Sequence, residues 1–179
     1  YKMLEQAINA DNAEEANRIF ADYPTDCAKL TDDKRNTLMF MIIRRHDDIL
    51  RDQRDMIQIF LTNRFCEADL VLQFAVGHGK DILVTFALEK NAKINGPDGC
   101  GNPLRLASWR CNLSIVRLLL NHDGINVNAA DNVSGTTALF NACQWRDQAI
   151  MQVLIDKGAD VNLANRKGQT PLMAVLMGP

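Results

Sequence analysis

Gly135-Thr136-Thr137-Ala138-Leu139 returns as Gly168-Gln169-Thr170-Pro171-Leu172, 33 residues later. Between the two lie an apolar run, Ile150-Met151-Gln152-Val153-Leu154-Ile155, and then Gly158-Ala159-Asp160-Val161-Asn162. A period of this length, with helix-start and helix-stop residues at fixed offsets, marks a stack of repeats rather than a closed globule. Thr170 is placed to cap a helix whose first turn holds Pro171, where a missing N–H costs nothing. Leu172 opens the stripe that helix buries. Gly158 suits a left-handed stop after the second helix of the unit.

Earlier units carry the same signals. One reads Pro103-Leu104-Arg105-Leu106-Ala107, then Ile115-Val116-Arg117-Leu118-Leu119-Leu120, then Val127-Asn128, with Asn102 where the later units have Thr and with Asp123-Gly124 adding a residue. A looser one reads Leu72-Gln73-Phe74-Ala75, Leu83-Val84-Thr85-Phe86-Ala87-Leu88 and Ala92-Lys93-Ile94-Asn95. Ala75, Ala107 and Ala142 each follow the corresponding Leu by three residues, which puts a small side chain on the same helical face and lets helices approach closely. Asn95, Asn128 and Asn162 end short extended stretches, where an amide can bond turn backbone.

This pattern resembles the ankyrin-repeat family, whose units run G-x-T-P-L-H-x-A, then V-x-x-L-L-L, then G-A-D-V-N. The resemblance covers about residues 70–179. It implies an all-α solenoid of stacked helix-turn-helix units with short β-turn fingers. One unit alone cannot bury its apolar face, so the stack as a whole is the domain. Residues 1–179 then read as a single ankyrin-repeat domain. About 1–30 form a capping unit, 31–66 an irregular unit with an insertion at 44–55, and 67–98, 99–132 and 133–165 three repeats, with 166–179 a truncated one.

The N-terminal third is less regular. Residues 3–20 read as a helix pair with apolar stripes at Leu4, Ala7 and Ile8, then Ala16, Ile19 and Phe20. Thr37–Ile43 and Met56–Leu61 read as another pair, separated by the charged stretch from Arg44 to Gln53. There and just beyond it Asp47, Asp48, Asp52 and Asp55 interleave with Arg44, Arg45, Arg51 and Arg54, as on a solvated helix face, with an acidic docking site as the alternative. The chain opens at Tyr1 without Met and closes on Met177-Gly178-Pro179, and the reading expects a fragment of a longer protein.

Composition limits the function classes. A formal net charge of −2 argues against a broad electrostatic nucleic-acid binder. No apolar run approaches the length needed to span a bilayer, so membrane insertion is not expected. Cys27, Cys66, Cys100, Cys111 and Cys143 are odd in number, lack CxxC pairs and are spread over four units, which reads as reduced thiols in a cytoplasmic setting. Gly77-His78-Gly79-Lys80 lacks the upstream glycine of a phosphate loop and has Asp81 where a magnesium-holding hydroxyl belongs, so it reads as the turn between two helices. Gly96-Pro97-Asp98-Gly99-Cys100-Gly101 falls in a finger. His46, His78 and His122 have no metal spacing, and a Cys111–His122 pair lacks a third group to orient it. No catalytic residue, metal or cofactor is expected within these residues.

The pointer to function is the pair of tryptophans, Trp109 and Trp145, the only two in the chain. Both fall at the end of a first helix in adjacent units and both precede an arginine, Arg110 and Arg146. The resemblance implies that this helix end and the fingertips line the concave face, where family members usually bind partners. Trp and Arg are also the residues most often found at interface hot spots. Counting along the units adds Arg44, His78, Gln144, Arg166 and Lys167 to the same surface. The expected partner is a protein or peptide, acidic or amphipathic, on a mildly basic aromatic groove. The sequence leaves the oligomeric state open. The alternative is a substrate-recruiting or targeting region of a larger enzyme, or of a bacterial effector acting in host cytoplasm, with the chemistry elsewhere.

Overall fold

The computed structural model describes residues 1–10, 12–22, 34, 37, 57, 67–96 and 102–178. Within them, α1 (Lys2–Asn9) and α2 (Ala13–Asp22) form an N-terminal hairpin. Leu4, Ala7, Ile8, Ala16 and Ile19 are buried, matching the expected stripes, and Asn12 accepts the Glu15 N–H (2.9 Å) to start the second helix. Of the expected helices at 37–43 and 56–61 only Thr37 and Ile57 are described, both helical, with Ile57 buried; the rest of them and the insertion at 44–55 lie outside the described residues.

From residue 67 the chain builds two layers. The inner layer consists of α3 (Ala68–Gly77), α5 (Pro103–Trp109), α7 (Ala138–Gln144) and α9 (Pro171–Met177), each packed on the next. The outer layer consists of α4 (Asp81–Glu89), α6 (Leu113–Leu120) and α8 (Gln148–Asp156), likewise packed in series. Each of the first three inner helices also packs on the outer helix that follows it. The described residues contain no strand, so the fold is an all-α solenoid as the repeat pattern predicts.

Helices of seven to ten residues are too short to hold alone in water. Caps and packing hold these. Asn102, Asn112, Thr137, Asp147 and Thr170 each accept the N–H three residues on, at 3.0, 3.1, 3.1, 3.0 and 3.4 Å. Each such cap is worth about 1 kcal/mol. Ala75, Ala107 and Ala142 are fully buried between neighbouring helices, as their spacing predicts. Leu72, Leu104 and Leu139 are buried beside them. In α9 the corresponding Leu172 is 71% exposed, because no outer helix among the described residues covers it.

Of the asparagines at the ends of the extended stretches, Asn95 and Asn128 bond turn backbone, and that backbone belongs to the next unit, whereas among the described residues Asn162 has only its own N–H on Asp160 Oδ1 (2.8 Å). Asn95 accepts the Asn126 N–H (2.8 Å) and donates to the Gly124 carbonyl (2.9 Å). Asn128 repeats the pattern one unit on, with the Asp160 N–H (2.8 Å) and the Gly158 carbonyl (3.3 Å). Each amide thus joins two units through both of its ends. The fingers are joined as well, because the Arg166 N–H donates to the Ser134 carbonyl (2.9 Å).

Candidate functional surface

Helix α5 ends on Trp109 and α7 on Gln144. The next residues, Arg110 and Trp145, return their N–H groups to the last turn of each helix. The chain then reverses through one left-handed residue, Cys111 (φ 54°) or Arg146 (φ 56°), where the preceding unit uses Gly79 (φ 68°). Matching these reversals sets His78, Arg110 and Trp145 at one level. Gly77, Trp109 and Gln144 lie one residue earlier. The tryptophans are therefore one residue out of step, about 100° apart around their helices. Trp109 is 44% exposed and Trp145 41%, so neither is spent on the core.

Arg110 lays its guanidinium 4.9 Å from the centre of the Trp109 ring, a cation–π contact that fixes both side chains. Arg146 behaves differently, since its Nε donates to the Val175 carbonyl (3.2 Å) and ties it to α9. His78 is exposed at the end of α3, and Gln144 is half-buried. Arg166 and Lys167 stand exposed on a finger, in a turn that Asn165 closes by accepting the Lys167 and Gln169 N–H groups (2.9 and 3.0 Å). The expected set thus falls into two groups, one at the helix ends and one at the fingertip. An inner helix of seven residues, about 10 Å long, runs between them. Arg44 lies outside the described residues.

The side chains between the two groups carry little signal in the sequence. At the third residue of each inner helix from the second onward stand half-buried Arg105, buried Phe140 and exposed Met173, one turn before Trp109, Gln144 and Met177. The i, i+4 spacing of Arg105 and Trp109 was the available signal. On the adjoining finger, Asp131 accepts the Ser134 hydroxyl and the N–H groups of Val133 (3.0 Å) and Ser134 (2.9 Å). The Ser134 hydroxyl contributes most, with those amides and the nearby Arg105 charge, to holding the Asp131 carboxyl well below its ordinary 3.8, against a smaller opposing effect of burial.

No three His, Cys, Asp or Glu side chains among the described residues converge on a metal position. Burial pushes the Cys143 thiol up. Burial, then the Asp147 charge, does the same for Cys111, so neither is an activated nucleophile. Cys111 and His122 flank opposite ends of α6, an eight-residue helix about 12 Å long, which removes the pair as a catalytic unit. Gly77-His78-Gly79-Lys80 is the turn between α3 and α4, as its sequence predicts. No helix of the described residues is long and apolar enough to cross a membrane.

The family model for ankyrin repeats (many copies) matches residues 104–150. Among curated relatives, a probable serine/threonine-protein kinase of Dictyostelium discoideum is 37% identical over 95 residues, covering 50% of this chain and 11% of the relative. Diacylglycerol kinase iota of Homo sapiens is 38% identical over 79 residues, covering 44% and 7%. The putative ankyrin repeat protein YahD of Escherichia coli (strain K12) is 44% identical over 77 residues, covering 40% and 38%. The match thus takes in a small part of each kinase and a little over a third of the bacterial protein.

Proposed function

This chain belongs to the ankyrin-repeat family, and on that premise we propose that residues 1–179 act as one protein-interaction domain whose concave face binds a partner protein or peptide. The observation that carries this reading is the exposure of Trp109 and Trp145 on adjacent inner helices, with Arg110 stacked on the first. Large aromatic side chains left 44% and 41% open, beside positioned cations, are the composition of a hot spot rather than of a core. Arg110 and His78 extend that surface along the helix ends, and Gln144 adds an amide. Arg166 and Lys167 supply positive charge at the fingertip, and Arg44 is assigned to the same face. An acidic or amphipathic segment fits such a groove.

A pull-down with mass spectrometry tests this. The wild-type chain and a Trp109→Ala/Trp145→Ala variant, matched for helical content by circular dichroism, are compared. The variant is expected to lose a partner that the wild type captures, since removing a hot-spot aromatic costs at least about 2 kcal/mol. A partner held equally by both would move the site off this face.

A second reading rests on the kinase matches. There the aligned 95 and 79 residues are a small part of much longer proteins. On that reading this region recruits a substrate or partner for a catalytic part elsewhere in a larger protein, and does no chemistry itself. Sequencing the full transcript and assaying the full-length product for phosphotransfer separates it from the first. No observation favours a bacterial effector over these readings.

A further inference from the structure

Arg105 is a cation on an inner helix without an acceptor among the described residues. Its backbone is fully engaged. The N–H goes to Asn102 Oδ1 (3.0 Å) and the carbonyl accepts from Asn141 Nδ2 (3.2 Å), which pins the start of the side chain. Its Nε is buried and has no hydrogen-bond partner. In the same first turn, Asn102 is 8% exposed, and its Nδ2 is also buried without a partner. Both atoms are closed to solvent as well as unpartnered, so the polar network around Arg105 is incomplete and its charge has no counter-ion among the described residues.

The carboxylate that feels its charge is already committed. Asp131 lies close enough to feel the Arg105 charge, but its oxygens are taken by Ser134, Val133 and Thr136 in its own turn, and no ion pair forms. The equivalent positions of the next two inner helices, Phe140 and Met173, are apolar, and the turn beyond holds Trp109, Gln144 and Met177. None of these carries negative charge. A single positioned guanidinium amid apolar side chains is selective for one carboxylate flanked by apolar groups, because a guanidinium fork matches a carboxylate with two parallel hydrogen bonds.

We propose that Arg105 is the specificity-determining residue of the groove, receiving an Asp or Glu side chain of a partner peptide whose flanking apolar residue packs on Trp109. This rests on the concave-face reading above and narrows it to acidic-apolar segments. Arg110, by contrast, is held on the Trp109 ring and shapes the wall.

The test uses a random dodecapeptide library displayed on phage and selected on the intact chain. Recovered sequences are expected to place Asp or Glu beside an aromatic or large aliphatic residue. A fluorescein-labelled copy of the dominant peptide, and its Asp→Asn or Glu→Gln counterpart, are then titrated by anisotropy against wild type, Arg105→Gln, Arg105→Lys and Trp109→Ala. Each variant is checked by circular dichroism and urea midpoint. Arg105→Gln should weaken the acidic peptide by about tenfold to a hundredfold and the amide peptide by less than about twofold. Arg105→Lys should recover part of the loss, since it restores charge but not the fork.

Failure to enrich any peptide, enrichment without acidic residues, or equal weakening of both peptides by Arg105→Gln overturns the proposal. If Trp109→Ala weakens binding while Arg105→Gln does not, the charge assignment alone is wrong. If Trp109→Ala binds as tightly as wild type, the concave-face reading fails and the proposal falls with it.

Discussion

Replacing Gly135 by Ala tests how the fingers are held. Gly135 has φ 73°, and a Cβ on it would meet the Arg166 backbone N at 2.9 Å and Arg166 Cγ at 3.0 Å. That nitrogen carries the N–H that reaches the Ser134 carbonyl, so the methyl group would push on the bond that joins the two fingers. Gly158 is the control, because its φ of 85° is equally left-handed but a Cβ there meets nothing within 4 Å. The left-handed conformation costs an L-residue about 1–2 kcal/mol, and the stiffer unfolded chain returns about 0.4–1 of it. Gly158→Ala should therefore destabilise by about 1 kcal/mol. Gly135→Ala adds a displaced hydrogen bond, about 1 kcal/mol, and a backbone shift of similar cost, for a total of about 3. Urea denaturation followed by circular dichroism gives both values. Hydrogen exchange should show the Arg166 amide losing protection in Gly135→Ala and keeping it in Gly158→Ala. Equal destabilisation by the two substitutions, with Arg166 still protected in both, would refute the argument that a close approach between fingers, rather than backbone conformation alone, demands glycine at 135.

Asn128→Ala removes both hydrogen bonds between its unit and the next, and should cost about 1–3 kcal/mol with faster exchange at the Asp160 amide. Asn128→Asp keeps an acceptor and should lose roughly half as much in the same denaturation assay. Leu139→Ala, at a position 2% exposed, should cost about 2–5 kcal/mol, while Leu172→Ala, at the equivalent position but 71% exposed, should change the midpoint by under about 0.5 kcal/mol. The depressed Asp131 carboxyl makes its contribution to stability fully present above its unfolded value near 3.8, and loses it as pH falls from there through its folded value. Wild type should thus lose stability more steeply than Asp131→Asn on acidification below about pH 4, read as the difference in midpoint across the two pH series.

Much of this architecture was written in the sequence because its determinants are local. Thr137 and Thr170 cap the helices they precede, Pro171 occupies a first turn, and Gly158 takes the left-handed stop, each through contacts within four residues. The stacking alanines were legible for the same reason, since three-residue spacing from a buried leucine fixes a helical face without knowledge of what lies opposite. Partners across units were not legible. Nothing at Asn128 says that its amide reaches residues 158 and 160, because the distance along the chain carries no signal and only the stacking brings those groups together.

The groove shows the same division in sharper form. Exposure of Trp109 and Trp145 follows from their place at helix ends, and their one-residue offset is readable in the sequence, with Trp109 five residues after Leu104 and Trp145 six after Leu139; the left-handed reversals at Cys111 and Arg146 give that offset its structural meaning. Arg146 follows Trp145 as Arg110 follows Trp109, and that pairing by itself gives the two arginines the same role. The offset separates them, because Arg146 occupies the reversal itself and bonds α9, whereas Arg110 precedes it and stacks on indole. Arg105 gives only a weak signal in the sequence, because one charged residue in a helix is ordinarily solvated. Its significance depends on what Asp131 does, and Asp131 is withdrawn from it by a turn closed on Ser134 and Thr136. A repeat pattern therefore specifies the scaffold through rules that recur in every unit, while recognition is written in the departures from the pattern, and their meaning depends on the neighbouring unit.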